Sequence, residues 1–361
     1  MSVGQTEDAS PTVSRTAPEV LESIPRVCTF SYKEDDIQPK PEGPELNRAH
    51  KDQFIHYEET AEGIEFVGFE ELLNCHDTDI DSPGSLVGQG NNDEHLESCY
   101  LPKYIEGPAS LRGKIDKMLP EFIEIFSKKL RRKPADLPPM ELTVEKDKWE
   151  SSKNAGQPRQ QTEPKQAEIR RQVSALLPIG VIAECQAPYY SQAHLTPKPQ
   201  GQWRFALDYR NLNDCCKSMG WPIPNIRHML QRLGSKKPRY FAKIDLTHGY
   251  HQAPLHENSW LYTAFITFMG IYYWLRVPMG LKAAPSYFQG ALATCVLVGL
   301  IYQICELYID DIIVHGKTED EFVDNLRQVF TRLKNKGLVV NPDKCFIGMT
   351  EVEFVGHIIN S

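Results

Sequence analysis

The sequence predicts an α+β fold in which an antiparallel sheet rests on helices. Three observations predict it. The run Ile304–His315 is apolar on both sides of Asp310-Asp311, which reads as strand, tight turn, strand. Tyr240-Phe-Ala-Lys-Ile-Asp-Leu246 is a second strand-like run, and it ends on Asp245. Thr318-Glu-Asp-Glu321 has the capping-box pattern, and Phe322, Leu326, Val329, Phe330 and Leu333 follow at helical spacing until Gly337 stops the helix.

The elements divide the chain into three parts. Residues 1–110 are acidic and carry Pro11, Pro18, Pro25, Pro39, Pro41 and Pro44 with little periodicity, so this leader is expected to be largely disordered. Its segment Gly63–Leu73 is the part expected to hold local order. Residues 111–134 read as an amphipathic helix ending in the basic run Lys128-Lys-Leu-Arg-Arg-Lys133, and 146–165 read as a polar linker. The third part, 166–361, opens with a helix over Gln166–Leu177, with Ile169, Val173, Leu176 and Leu177 on one stripe and Pro178 and Gly180 ending it. The apolar stretch Ala291–Cys305 reads as a buried helix running into the first strand of the acidic hairpin. It falls short of the roughly 18 apolar residues that a membrane-spanning helix needs.

Charge follows the same division. The 361 residues carry a formal net charge of -8. Residues 1–110 hold 7 Lys+Arg and 23 Asp+Glu, a net of -16, so 111–361 keep 33 basic and 25 acidic residues, a net of +8. A cationic body behind an acidic leader suits contact with phosphate backbones. The 9 cysteines include no Cys-x-x-Cys pair, which suits a reduced compartment rather than a disulfide framework. Cys75, His76, His95 and Cys99 have a spacing that fits no zinc module. Met1-Ser-Val-Gly-Gln-Thr-Glu-Asp lacks a basic start and an apolar core, so no secretory signal is read, and an intracellular, cytoplasmic protein without a membrane span is expected.

Asp310 and Asp311 are adjacent like charges at a rigid turn, and they repel unless a cation neutralises them. Hard divalent cations prefer oxygen ligands. One acid from a strand end, Asp245, and two from a hairpin supply the ligands of a two-metal phosphoryl-transfer site. His248 and His251 lie near Asp245 in sequence but read as structural, because magnesium prefers oxygen.

Six blocks stand in the order found in reverse transcriptases of gypsy-type LTR retrotransposons. They are Leu195–Asn213 with Asp208-Tyr-Arg-Asn-Leu-Asn213, Phe241–Gln252, Thr263-Ala-Phe-Ile-Thr267, Val277–Gln289 with Val277-Pro-Met-Gly280, Tyr308-Ile-Asp-Asp311, and Phe354-Val-Gly-His-Ile-Ile359. Together they cover about 165–361. The chain is identified on these blocks as resembling that family, a piece of a retrovirus-related Pol polyprotein. The resemblance implies a right-hand polymerase fold of palm and fingers over 166–361, ending at the primer-grip region, with the thumb truncated and RNase H and integrase regions absent from this chain. The Asp-Ser/Thr-Gly signature of a preceding protease is missing, since Asp81-Ser-Pro-Gly84 carries an inserted proline.

The reaction so implied is addition of deoxynucleoside triphosphates to a primer on an RNA or DNA template. Asp245, Asp310 and Asp311 would be catalytic and hold two Mg²⁺ ions, with Mn²⁺ as a substitute. Lys198 and Arg204 flank the turn Pro199–Gln202 and would clamp the triphosphate. Tyr250 would stack under the incoming sugar and exclude a 2′-hydroxyl. Met279 would line the nucleotide pocket where the gypsy group commonly carries Phe, and Ala283 stands where it commonly carries Asn. Arg210 reads either as a template contact or as an ion-pair partner of Asp208. Gly356 and His357 read either as the primer grip or as a buried strand end, and Lys344 either as a pyrophosphate contact or as a surface lysine.

Two other classes of function stay open on the sequence. One is an inactive, truncated relic that at most binds nucleic acid, since the resemblance stops short of a thumb. The other is an RNA-directed RNA polymerase, against which Tyr250 and Val277–Gly280 argue. The sequence leaves the oligomeric state open.

Overall fold

The computed structural model describes residues 57–60, 63–66, 98–197 and 203–361. The expectations for most of the leader, for Cys75, His76, His95 and Asp81, and for Lys198 and its turn fall outside the described residues. Among the described residues no helix is long and apolar enough to cross a membrane.

Along the chain, a small antiparallel hairpin joins β1 (Tyr57–Thr60) to β2 (Gly63–Phe66). Strand β3 (Tyr104–Ile105) leads to helix α1 (Ala109–Met118). The helix expected over 111–134 ends at Met118, and a 3₁₀ segment, Leu119–Ile125, takes over. Pro120 is the cause, because it has no N–H to donate to a preceding carbonyl. The polar stretch 146–165 is more structured than a linker. It holds a helical turn, Lys146–Trp149, and buries Trp149 and Asn154. Helix α2 (Glu163–Leu176) follows, with Ile169, Val173 and Leu176 buried as the apolar stripe requires.

The fingers carry β4 (Ile182–Glu184), β5 (Ser191–Pro197) and β6 (Trp203–Asp208). Helix α3 (Ile226–Lys236) and β7 (Tyr240–Ile244) come next, then β8 (Phe265–Thr267) and β9 (Gly270–Trp274). Helix α4 (Ala284–Ala291) runs into a π-helical turn, Leu292–Val296, before the acidic hairpin β10 (Cys305–Tyr308) and β11 (Asp311–Gly316). Helix α5 (Glu319–Asn335), β12 (Phe346–Met349), β13 (Glu351–Phe354) and β14 (His357–Asn360) complete the chain.

Two five-stranded sheets organise these elements. The palm sheet has the order β10-β11-β7-β12-β3, and the fingers sheet β4-β9-β8-β5-β6. The palm sheet is antiparallel apart from the β12–β3 pair. Its strands read as apolar because helix α5 covers one face. Phe322, Leu326, Val329, Phe330 and Leu333 are all fully buried there. Each such side chain stabilises the fold by roughly 1.5–3 kcal/mol relative to exposure.

The start of α5 is fixed as its sequence predicts. The Glu321 amide donates to the Thr318 hydroxyl at 3.2 Å, and the Glu321 carboxylate accepts from the Lys317 amide at 3.1 Å. Gly337 follows the last turn with φ 67°. A second small core of Met229, Leu233, Phe241, Ile313, Val352 and Phe354 seats the β13–β14 hairpin on the palm. The N-terminal part of the domain is tied in by Arg276, which is 2% exposed. Its guanidinium donates to the carbonyls of Arg131, Arg132, Ile179 and His251, so a polar residue of the β9 end holds a segment 145 residues earlier.

Candidate active site

Strand register brings the acids together. Within the palm sheet Ile312 pairs with Ile244, Ile313 with Lys243 and Val314 with Ala242. One step further along this register, Asp311 faces Asp245, the residue after β7. The other side of Asp245 is also fixed. The Asn341 amide donates to the Asp245 carbonyl at 2.9 Å, and Leu246 bridges Val340. The fully buried Cys345 thiol hydrogen-bonds to the Asp245 backbone, and burial pushes its pKa up.

Ile309 and Asp310 are the two turn residues between β10 and β11, closed by the Tyr308–Asp311 pair. Ile309 has φ 59°, in the left-handed region. Two-residue hairpins need a positive φ at their first turn position, which glycine or asparagine usually supplies. A β-branched residue there costs on the order of 1–3 kcal/mol. Ile309 is 1% exposed, and its amide donates to Oε1 of Gln289 at 2.6 Å. Gly249 approaches so closely that a Cβ there would sit 3.4 Å from the Asp310 carboxylate. All three acids are half-buried and reachable from solvent.

Tyr250 stands against this group. Its ring is 9% exposed and meets Phe288 edge-on at 5.4 Å. Burial first, then the charges of Asp310 and Tyr308, hold its hydroxyl well above the ordinary tyrosine range. His248 and His251 are buried and face other groups. The His251 ring stacks on Trp274 at 4.9 Å, and its Nδ1 lies 3.0 Å from the Val277 carbonyl. Burial lowers its pKa to about 4, so it is neutral at pH 7.

Residues 196–359 match the family described as reverse transcriptase (RNA-dependent DNA polymerase). The Drosophila melanogaster Pol polyprotein from transposon 412 is 33% identical over 276 residues, 74% of this chain. That from transposon opus is 39% identical over 199 residues, 54% of this chain. Residues 196–359 belong to the reverse transcriptase family. The chain spans about a fifth of the length of these relatives, 22% and 20% respectively. The fold agrees. Prototype foamy virus protease-reverse transcriptase has a TM-score of 0.61 at 22% identity, covering 77% of this chain and 36% of that one. The foamy viral enzyme solved with an RNA/DNA hybrid has a TM-score of 0.60 at 23% identity, over 77% and 36% of the two chains. The reverse transcriptase family generally uses divalent metal ions.

Asp245, Asp310 and Asp311 would offer oxygen donors alone, which is the chemistry a hard cation prefers. Among the described residues no group of three or more His, Cys, Asp or Glu side chains is arranged so that it could hold a metal ion by itself. Such a group is not what Mg²⁺ needs, because it is usually held by one or two carboxylates with waters and substrate phosphates.

The loop that carries Met279 and Ala283 is braced by the Asp208–Asn213 motif. Tyr209 is buried and donates to the Thr263 carbonyl at 3.0 Å. Asn213 donates to the Gly280 carbonyl at 2.8 Å and accepts from the Lys282 amide at 2.9 Å, so it fixes the loop that carries Met279 and Ala283. Met279 is half-buried and Ala283 is buried. Arg204 is in β6, paired with Thr196. Arg210 makes a bidentate pair with Asp208 at 2.9 and 2.8 Å while its side chain stays 77% exposed. Arg159 joins the same carboxylate at 2.7 Å. The two guanidiniums hold the Asp208 carboxyl far below the usual carboxylate range, the Arg210 hydrogen bond contributing most. The ion-pair reading of Arg210 is thus met, and the exposed guanidinium leaves its outer face accessible.

Gly356 sits at the tip between β13 and β14, where Val355 has φ 49° and Gly356 φ 69°. His357 is exposed, with Nδ1 2.8 Å from the Val355 carbonyl, while Val352 and Phe354 are the buried members of the hairpin. Lys344 closes the turn after Asp343, which is paired with Lys103 at 2.7 Å and with Lys128. Sequence reasoning did not single out Gln289, Asn213, Gly249 or Arg159. Each acts through a partner far away in sequence, and only Gln289, Asn213 and Gly249 lie inside the family blocks.

Proposed function

We propose that this domain is an RNA-directed DNA polymerase that adds deoxynucleotides to a primer 3′ end. The observation that carries the reading is the register that brings Asp245 opposite Asp311, beside Asp310. These three carboxylates would hold two Mg²⁺ ions, or Mn²⁺ in their stead. When bound, such ions lower the pKa of the primer 3′-hydroxyl and neutralise the triphosphate and departing pyrophosphate.

The remaining roles belong to the chain. Tyr250 packs under the sugar with its ring held by Phe288, leaving no space for a 2′-hydroxyl. Arg204 and Lys198 grip the triphosphate, and Met279 lines its pocket. Arg210, held in one orientation by Asp208, presents its outer face to the template phosphates. The Val355–Gly356 tip and His357 position the primer terminus. RNA or DNA template, primer and deoxynucleoside triphosphates are the partners this reading requires.

The deciding experiment is primer extension. The purified chain should extend a DNA primer on an RNA template with Mg²⁺ and deoxynucleotides, and Asp310→Asn should abolish it. Equal background from the two proteins would sink the proposal and leave nucleic-acid binding as the activity to measure.

A further inference from the structure

We infer that Gln289 is a positioning residue for this site: its side chain holds the strained Ile309 turn and thereby aims Asp310 and Asp311. The inference rests on the polymerase reading above and adds to it a residue that touches neither substrate nor metal.

The turn has two residues, and Ile309 adopts φ 59° at its first position. A β-branched L-residue does not choose that conformation unaided. Something must hold it, and one side chain reaches both ends of the bend. The Ile309 amide donates to Oε1 of Gln289 at 2.6 Å, and Nε2 of Gln289 donates to the Leu307 carbonyl at 3.5 Å. Gln289 is 1% exposed, so water does not compete for either bond. Its helix is itself fixed, since its neighbour Phe288 is fully buried against the Tyr250 ring. Gly249 also closes on the Asp310 carboxylate, and a Cβ there would lie 3.4 Å from it and 3.3 Å from the Phe288 ring. The acidic turn is therefore held by Gln289 of α4 and packed closely by the Gly249 backbone.

Removing the Gln289 oxygen leaves a buried amide without its acceptor. The bend would then relax toward negative φ. Asp310 follows Ile309 directly, so its carboxylate would swing, and the Tyr308–Asp311 closing pair would shift with it. A residue that only satisfied a stray amide would have no such effect on the acids.

The test is a double-mutant cycle between Gln289→Met and Ile309→Gly, because glycine adopts the left-handed conformation without a brace. Three quantities are measured for each protein: the single-turnover extension rate at saturating substrates, primer–template affinity, and amide exchange of the 304–315 hairpin. Gln289→Met should slow extension about tenfold or more, quicken hairpin exchange, and leave primer–template affinity within about twofold. In the Ile309→Gly background the same substitution should slow extension less than about threefold. An unchanged rate in Gln289→Met overturns the inference, and so does an equal loss in both backgrounds. Ile309→Asn, a residue type that tolerates the left-handed region, replaces Ile309→Gly if the latter does not fold. Should the unsubstituted chain itself fail to extend primers, the polymerase reading falls. Hairpin exchange then decides the brace separately, and exchange unaltered by Gln289→Met overturns it.

Discussion

Asp245 and Asp311 face one another across the ends of β7 and β11, one step beyond the Ile244–Ile312 pair. Residues 66 apart in sequence are joined there by the palm sheet's register. Asp310 is adjacent in sequence, in the turn that precedes β11.

Two outcomes follow for the acids. Asp245→Asn, Asp310→Asn and Asp311→Asn should each cost several kcal/mol of transition-state stabilisation, a fall of ~10³-fold in single-turnover rate. The same substitutions should leave the metal-free protein no less stable, because each removes like-charge repulsion. Mg²⁺ should raise the melting temperature of the unsubstituted protein and do so much less in the Asn variants. Thermal scans with EDTA and with Mg²⁺ check both. Equal Mg²⁺ stabilisation in all proteins would exclude these acids as ligands.

Tyr250 should govern sugar choice by its ring and not by its hydroxyl. Burial and Asp310 keep that hydroxyl protonated at neutral pH, so it takes no part in proton transfer. Tyr250→Phe should keep both rate and selectivity. Tyr250→Ala should open the space under the sugar and admit ribonucleotides, lowering the deoxy-to-ribo ratio of kcat/KM by about 10²-fold or more. Selectivity unmoved by the loss of the ring would remove the steric gate.

How much of this was legible in the sequence depends on how local each cause is. Helix α5 was readable because its cap, Thr318, and its apolar stripe lie within one helix. The acidic hairpin was readable because the strand residues flank the turn residues. Helix α1 was read too long because the apolar period of 111–134 continues past Pro120, where the α-helical hydrogen bonds cannot. The polar composition of 146–165 hid Trp149 and Asn154, whose burial is set by the fingers. The partners of Gln289, Asn213 and Arg276 are 20, 67 and up to 145 residues away. Nothing in the local pattern of a polar residue says which distant amide or carbonyl it will meet. The pairing of β7 with β11 was not readable from the local pattern, since periodicity gives a strand but not its register.

Two buried histidines make the fold sensitive to mild acid. Burial lowers His251 from 6.5 to about 4, and burial with Lys236 nearby does the same to His315. Below 6.5 the unfolded chain takes up protons that the folded chain refuses, so stability present above that value is lost as pH falls toward 4. Each histidine contributes on the order of 3 kcal/mol over the full range. Urea midpoints should fall between pH 7 and pH 4.5. His315→Leu should flatten part of that slope, because Lys236 keeps the carbonyls of Tyr302 and Gln303 at 2.5 and 2.9 Å. A slope unchanged by His315→Leu would assign the acid sensitivity elsewhere.

Gly316 tests how tightly the palm sheet and α5 are joined. It is the last residue of β11, paired with Tyr240, and its carbonyl accepts from the Arg239 amide at 2.9 Å. A Cβ at this position would lie 2.6 Å from the Phe322 Cα and 2.7 Å from its amide nitrogen. Both are backbone atoms, so no side-chain rotation relieves the clash. Helix α5 cannot slide away, because Thr318 caps its start and Phe322 is fully buried. Gly316→Ala should therefore destabilise the fold by about 1–3 kcal/mol, the range for overpacked sites. The loss should appear as a lower urea midpoint at constant slope. Because β11 begins at Asp311, a shift of its far end should also reach the acids and slow extension. A variant of native stability would mean that the strand and helix separate more easily than this contact allows.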